Sequence, residues 1–247
     1  MSKVVLITGG NRGIGRAAAL LCSARGSISV NYATNRSATD ETVARVEAAG
    51  GRAIAIQGDV CEKADVIALF DATVRAFGPV DDFVNNAGIV APGSALSDMD
   101  VERMKRVFDT NVLGAYLGAR EAARRMSTKR GRRGGSIVNV SSAAARLGSP
   151  NEYVDYAGSK GTVDTLTIRL AKELGPESVR VNAVRPGLID TEIHASGGKP
   201  DRAAQLGVLA PLGRPGTTEE VAESIVWLLS DASAYVTGAL LDVAGGR

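Results

Sequence analysis

The sequence predicts an α/β chain with a doubly wound parallel sheet. Two observations carry that expectation: short β-branched or aliphatic runs alternate with segments of helical apolar period, and glycine turns mark the junctions. Val4 to Ile7 reads as a strand ending in Thr8-Gly9-Gly10, and Ile14 to Arg25 as a helix closed by Gly26. The alternation continues with a strand at Ile28 to Tyr32, a helix at Ala38 to Ala49 and a strand at Ala53 to Gln57. A helix from about Glu62 to Phe77, a strand from Val80 to Val84 and one long helix from about Met99 to Ser127 follow. Ser136 to Val140 is a fifth strand, Tyr156 to Leu174 a helix and Val179 to Val184 a sixth strand. Helix Glu219 to Leu229 and strand Ala239 to Val243 complete the series. Right-handed crossovers fold such an alternation into a Rossmann-type sheet of about seven strands with helices on both faces.

No repeat, low-complexity tract or proline-rich linker divides the 247 residues, so one domain spanning 1–247 is expected. Residues 188–216 follow a strand's carboxyl end, where open α/β sheets place their ligand crevice; the segment reads as a lid with hinge freedom at Gly197-Gly198. A net charge of +2 compels neither a nucleic-acid nor an acidic-membrane partner. Cys22 and Cys61 are too few for a disulfide framework or thiolate cluster, and the run Val4 to Ile7 is too short for a signal peptide or membrane span. A soluble, cytoplasmic protein is therefore expected.

Thr8-Gly9-Gly10-Asn11-Arg12-Gly13-Ile14-Gly15 joins the first strand to the first helix. Gly9 permits the tight turn, Gly13 lets backbone approach a pyrophosphate, and Gly15 allows close packing, while the helix N-terminus offers open N–H groups to phosphate. The spacing Gly-x3-Gly-x-Gly resembles that of the short-chain dehydrogenase/reductase family. Later segments extend the resemblance over nearly the whole chain: Asn85-Asn86-Ala87-Gly88, Asn111, Ser141-Ser142, Tyr156-x3-Lys160, Pro186-Gly187 and Tyr235-Val236-Thr237-Gly238. Within the family the chain looks most like the 3-oxoacyl-carrier-protein reductase and glucose dehydrogenase branch.

The stretch Asn31-Tyr32-Ala33-Thr34-Asn35-Arg36 contains no carboxylate to repel a 2′-phosphate, Arg36 can pair with one, and the resemblance implies that Arg12 projects to the same side of the adenosine, so NADP is expected over NAD; the competing reading makes Arg36 a solvated surface charge with Asp40 or Glu41 folded back. The resemblance implies that Asp59 and Val60 hold the adenine, that Asn85, Ala87 and Gly88 form a wall against the adenosine ribose, and that Ile189 and Thr191, after Pro186-Gly187, contact the nicotinamide. From the residues alone, Asp59 reads as the N-cap of the following helix.

Reducing a ketone with hydride creates an alkoxide, so a proton donor and a hydrogen-bond donor must meet at one oxygen. Tyr156 and Lys160 lie one helical turn apart, and Lys160 can draw the phenol's pKa down from about 10. Tyr153 competes with Tyr156 but has Ala at the corresponding position 157. Ser142 is expected on the reacting oxygen, with Ser141 its rival. In the family, Asn111 breaks its helix and holds water that relays protons to the lysine. The resemblance also implies a homotetramer.

A metal site is not expected from the lone His194, and neither serine sits in a Gly-x-Ser-x-Gly elbow. Lys129-Arg130-Gly131-Arg132-Arg133 reads as a solvated loop; a nucleic-acid partner is not expected. Ala143 to Leu147, Pro92 and Leu188 imply a mixed, largely apolar substrate pocket for a carbonyl or alcohol. The competing function is a dinucleotide-binding regulator that has lost turnover.

Overall fold

The computed structural model describes residues 2–247. Its seven strands are β1 (Lys3–Ile7), β2 (Gly26–Tyr32), β3 (Arg52–Gln57), β4 (Asp82–Asn85), β5 (Gly135–Val140), β6 (Val179–Pro186) and β7 (Leu240–Val243). They form one sheet in the order β3-β2-β1-β4-β5-β6-β7, with every pair parallel. The principal helices are α1 (Gly13–Cys22), α2 (Arg36–Ala48), α3 (Lys63–Phe77), α4 (Val101–Phe108), α5 (Ala115–Met126), α6 (Ala144–Leu147), α7 (Val154–Leu174), α8 (Ile193–Ser196), α9 (Arg202–Gly207) and α10 (Thr218–Leu229).

The apolar strand runs are explained by burial on both faces. Val5 and Ile7 of β1 pack with Ala18 of α1, Val46 of α2 and Ile225 of α10, whereas Leu6 between them packs with Phe70 of α3, Met126 of α5 and Leu174 of α7. Strand order reverses between β1 and β4, which leaves a crevice beyond their carboxyl ends.

The expected long helix from Met99 is two helices joined by a π-turn at Asp109–Gly114, centred on Asn111. Residues 188–216 are tied at their neck, since Gly216 N donates to Leu188 O (2.9 Å) and Asp190 N to Gly216 O (3.0 Å). Gly198, expected as a hinge, closes α8. Its φ is +77°, its N–H donates to Ala195 O (3.0 Å), and Lys199 N donates to His194 O (3.0 Å), the paired bonds of a Schellman cap.

Candidate active site

A cavity of about 630 Å³ occupies the crevice and is lined by the glycine turn, residues 86–90, Ser142, Tyr156, Lys160 and parts of 186–202. Its floor is built from backbone. Gly9 turns the chain at φ +62°, and Asn31 anchors it, accepting from Gly9 N (3.3 Å) while donating to Gly58 O (2.9 Å). Thr8 Oγ1 accepts from Asn86 N (2.9 Å) and Ala87 N (3.1 Å), and the Asn86 amide donates to Thr8 O (2.8 Å) and Gly9 O (3.0 Å). A Cβ on Gly15 would run into the Gly9 carbonyl and come within 2.6 Å of the Asn86 amide. Arg12, the N-cap of α1, supplies no side-chain cap, and the first turn carries no acid, so its N–H groups are open to an anion.

At the far end, Asn31, Ala33, Thr34 and Asn35 line the wall after β2. Asn35 caps α2 by accepting from Ala38 N (3.0 Å). Tyr32 is buried, and Arg36 is exposed beside the cavity, donating to Asp40 (2.9 Å) and to the Tyr32 hydroxyl (3.4 Å). Arg12 reaches across to Ser196 Oγ (3.5 Å). Asp59 and Val60 line the cavity. The Asp59 carboxylate accepts from Cys61 N (2.9 Å) and does not cap α3, whose N-cap is Glu62.

The reaction end is built from side chains. Lys160 is 4% exposed, donates from Nζ to Val140 O (2.7 Å), and lies 5.7 Å from the Tyr156 ring centroid. Burial pushes its pKa down to about 8 against the opposing pull of Asp164, one turn further along α7. Burial raises the Tyr156 phenol, and the neighbouring Ser142 hydroxyl lowers it in part. The two serines separate cleanly. Ser141 is buried and donates to Lys160 O (3.2 Å), whereas Ser142 lies half-buried at the wall and accepts from Ala144 N (3.1 Å), leaving its own proton free. Tyr153 also reaches the cavity, but its hydroxyl donates to Gly197 O (3.5 Å) and Arg202 covers its ring at 5.1 Å.

Asn111 is 1% exposed beneath this end. Its amide donates to Ile89 O (2.9 Å) and Ser159 Oγ (3.0 Å), and its oxygen accepts from Ile89 N (2.8 Å). Both amide hydrogens are thus engaged. A Cβ on Gly88 would lie 3.3 Å from both Asn111 Oδ1 and Lys160 Nζ, which is why bare backbone stands at that point.

Three expected placements differ. Asn85 is buried behind the cavity wall, donating to Ala115 O (2.9 Å) and Asn139 Oδ1 (3.0 Å); Asn86 takes the lining position, because side chains of successive residues in extended chain point to opposite faces. Tyr32 and Arg36 stand outside the cavity wall for the same alternation and because α2 begins at Arg36. Pro92 lies outside the lining, with its carbonyl taken by Arg103. Pro186, Gly187, Leu188, Ile189 and Thr191 do line it, along with Ala143, Ala144 and Leu147. His194 lines it as well; burial lowers its pKa and Nε2 bonds Ile189 O at 2.8 Å. Among the described residues no group of three His, Cys, Asp or Glu side chains is placed to hold a metal, and no helix is long and apolar enough to cross a membrane. In the basic loop, Arg133 pairs with Asp81 (2.9 Å) and Lys129 approaches Glu177 (3.9 Å).

Comparison with known proteins accords with this geometry. The family model for enoyl-(acyl carrier protein) reductase matches residues 9–247. The uncharacterized oxidoreductase YgfF of Escherichia coli (strain K12) is 49% identical, with 99% of each chain covered. A short-chain type dehydrogenase/reductase of Mycobacterium marinum superposes with a TM-score of 0.92 at 36% identity, covering 99% of this chain and 94% of that one. The 3-ketoacyl-(acyl-carrier-protein) reductase of Brucella melitensis, solved with NADH, gives 0.91 at 30% identity, covering 99% and 98%. The open helix N-terminus, the phenol–ammonium pair and these matches along the full fold place the chain in the short-chain dehydrogenase/reductase family of oxidoreductases.

Proposed function

We propose that the protein is an NADP-linked reductase or dehydrogenase acting on a carbonyl or secondary alcohol, with Tyr156 as general acid and base. The observation that carries this reading is the convergence of Tyr156, Lys160 and the free Ser142 proton on one cavity that the start of α1 also lines. The residues fit a nicotinamide coenzyme. The Thr191 hydroxyl is buried on the wall without a hydrogen-bond partner, and the first turn of α1 is acid-free. When bound, such a coenzyme supplies or accepts the hydride.

The α1 N–H groups hold the pyrophosphate, Asp59 and Val60 the adenine, Ala87 and Gly88 the ribose wall, and Ile189 and Thr191 the carboxamide end. Ser142 donates to the substrate oxygen while Tyr156 gives it a proton. In the reverse direction the phenolate takes that proton, stabilised by the Lys160 ammonium. Asn111 fixes the Ile89 segment beside Lys160. The preference for NADP is supported by the absence of an acid between Asn31 and Asn35 and by Arg12 on the cavity lining, with Arg36 next in sequence. Residues 188–216 act as a lid. Exposed Phe108, Leu113 and Tyr116 beside α4 and α5, with Val154 and Ile168 on α7, support assembly as a homotetramer.

Tyr156→Phe tests the reading: turnover of a carbonyl panel, followed by NADPH absorbance, should fall by about 10²–10⁴-fold with NADPH affinity retained. Unchanged turnover rejects the assigned role. Titration with NADPH and NADH in parallel tests the coenzyme preference. Failure across the panel despite tight NADPH binding would favour a regulator without turnover.

A further inference from the structure

We propose that Arg103 is a positioning residue for Tyr156, acting through Asp155, an inference that rests on Tyr156 being the proton donor. Both partners are 5% exposed, an unusual depth for a charged pair. Arg103 presents its planar fork to one carboxylate, Nε donating to Asp155 Oδ2 (2.9 Å) and Nη2 to Oδ1 (3.3 Å). The same Oδ1 accepts from the backbone N–H of Tyr156 at 2.8 Å. One guanidinium is therefore bonded to the carboxylate that holds the first-turn amide of the proton donor.

Its other donors extend the clamp to two further chain segments, at Pro92 and Glu152, outside the cavity lining. Nη1 donates to Pro92 O and Nη2 to Glu152 O (3.3 Å), where Ser94 N also donates (2.9 Å). The start of α7 needs such a tie, because its N-cap, Tyr153, makes no side-chain capping bond. The preceding turn holds Ser149 at φ +47° and Asn151 at φ +60°, the left-handed region, which asparagine tolerates but which is uncommon for serine. A buried ion pair is weak evidence of added stability, since desolvation offsets much of its attraction; its better-attested use is to fix one geometry among several. Here the geometry fixed is the direction from which the Tyr156 phenol meets the substrate oxygen.

The test uses Arg103→Met and Arg103→Lys, the latter keeping charge but losing the fork. Hydrogen exchange in residues 152–158, which needs no substrate, should rise at least about tenfold in Arg103→Met and less in Arg103→Lys, with strands β4 and β5 unchanged. With cyclohexane-1,2-dione and NADPH, kcat per coenzyme-binding site should fall about 10–100-fold in Arg103→Met with KM and coenzyme affinity within about threefold of wild type. Arg103→Lys should recover part of that loss. Arg103→Met combined with Asp155→Asn should cost less than the sum of the two single changes, because both act through one contact. Exchange unchanged at 152–158, or raised with kcat unmoved, overturns the proposal. If Arg103→Met does not fold, Arg103→Lys with wild-type exchange and kcat does so alone. Loss of the Tyr156 assignment itself is read separately, as full turnover in Tyr156→Phe.

Discussion

The two ends of the cavity are held by different means. The coenzyme end rests on backbone: a left-handed Gly9, a helix terminus without a cap, and side chains such as Asn31 and Asn86 whose bonds go to main-chain groups. The reaction end rests on buried polar side chains bonded to one another or to single carbonyls: Lys160 to Val140, Ser142 beside Tyr156, Asn111 to Ser159, Arg103 to Asp155. A backbone-built site fails when an added atom displaces it. A side-chain-built site fails when one functional group is removed, and it carries desolvation costs that the other avoids.

The contrast is sharpened first by Ser142→Ala, which should lower kcat by about 10²–10³-fold, measured by steady-state NADPH consumption, while coenzyme affinity stays put. Its neighbour serves as the control: Ser141→Ala, removing a hydroxyl bonded only to the Lys160 carbonyl, should alter kcat by less than about fivefold. Equal effects would dissolve the distinction between a hydroxyl that faces the cavity and one that faces the core. At the other end, Gly15→Ala should weaken coenzyme binding by about 10–100-fold in fluorescence titration, because the new methyl meets the Gly9 carbonyl and the turn must shift. A variant with full affinity would show that the turn is not rigid.

The smallest effect concerns stability. The Lys160 pKa is pushed down to about 8 from an ordinary 10.5, so between those values the unfolded chain binds more protons than the folded one, and this group's contribution to stability rises with pH. Folded Lys160 carries its full charge penalty below pH 8. The stability of Lys160→Met relative to wild type, read by chemical denaturation without coenzyme, should therefore be more favourable at pH 7 than at pH 10.5. A difference independent of pH would mean that the buried ammonium is not destabilising.

Much of the coenzyme end was legible in the chain because its requirements are local. The left-handed turn at Gly9, the close approach at Gly15 and the helix start at Gly13 lie within seven residues, and each selects its residue type directly. Tyr156 and Lys160 were legible for a similar reason, since helical period alone brings positions four apart onto one face. Which of the adjacent Asn85 and Asn86 reaches the wall was not legible, because chain alternation after a strand decides it. Arg103 gave no signal at all. On an amphipathic helix with Arg106 and Lys105 nearby it reads as one more solvated cation, and its partner lies 52 residues away.

The sequence by itself determined the alternation of strands and helices, the glycine turn and the phenol–ammonium pair, because each follows from backbone conformations or spacings within a few residues. The tertiary structure decided which serine faces the cavity, where Asn85 and Arg36 stand, how Gly198 is used, and that Arg103 is buried against Asp155. Those outcomes depend on which distant segments are packed together, and burial turns an ordinary hydroxyl, amide or guanidinium into one with a single available partner.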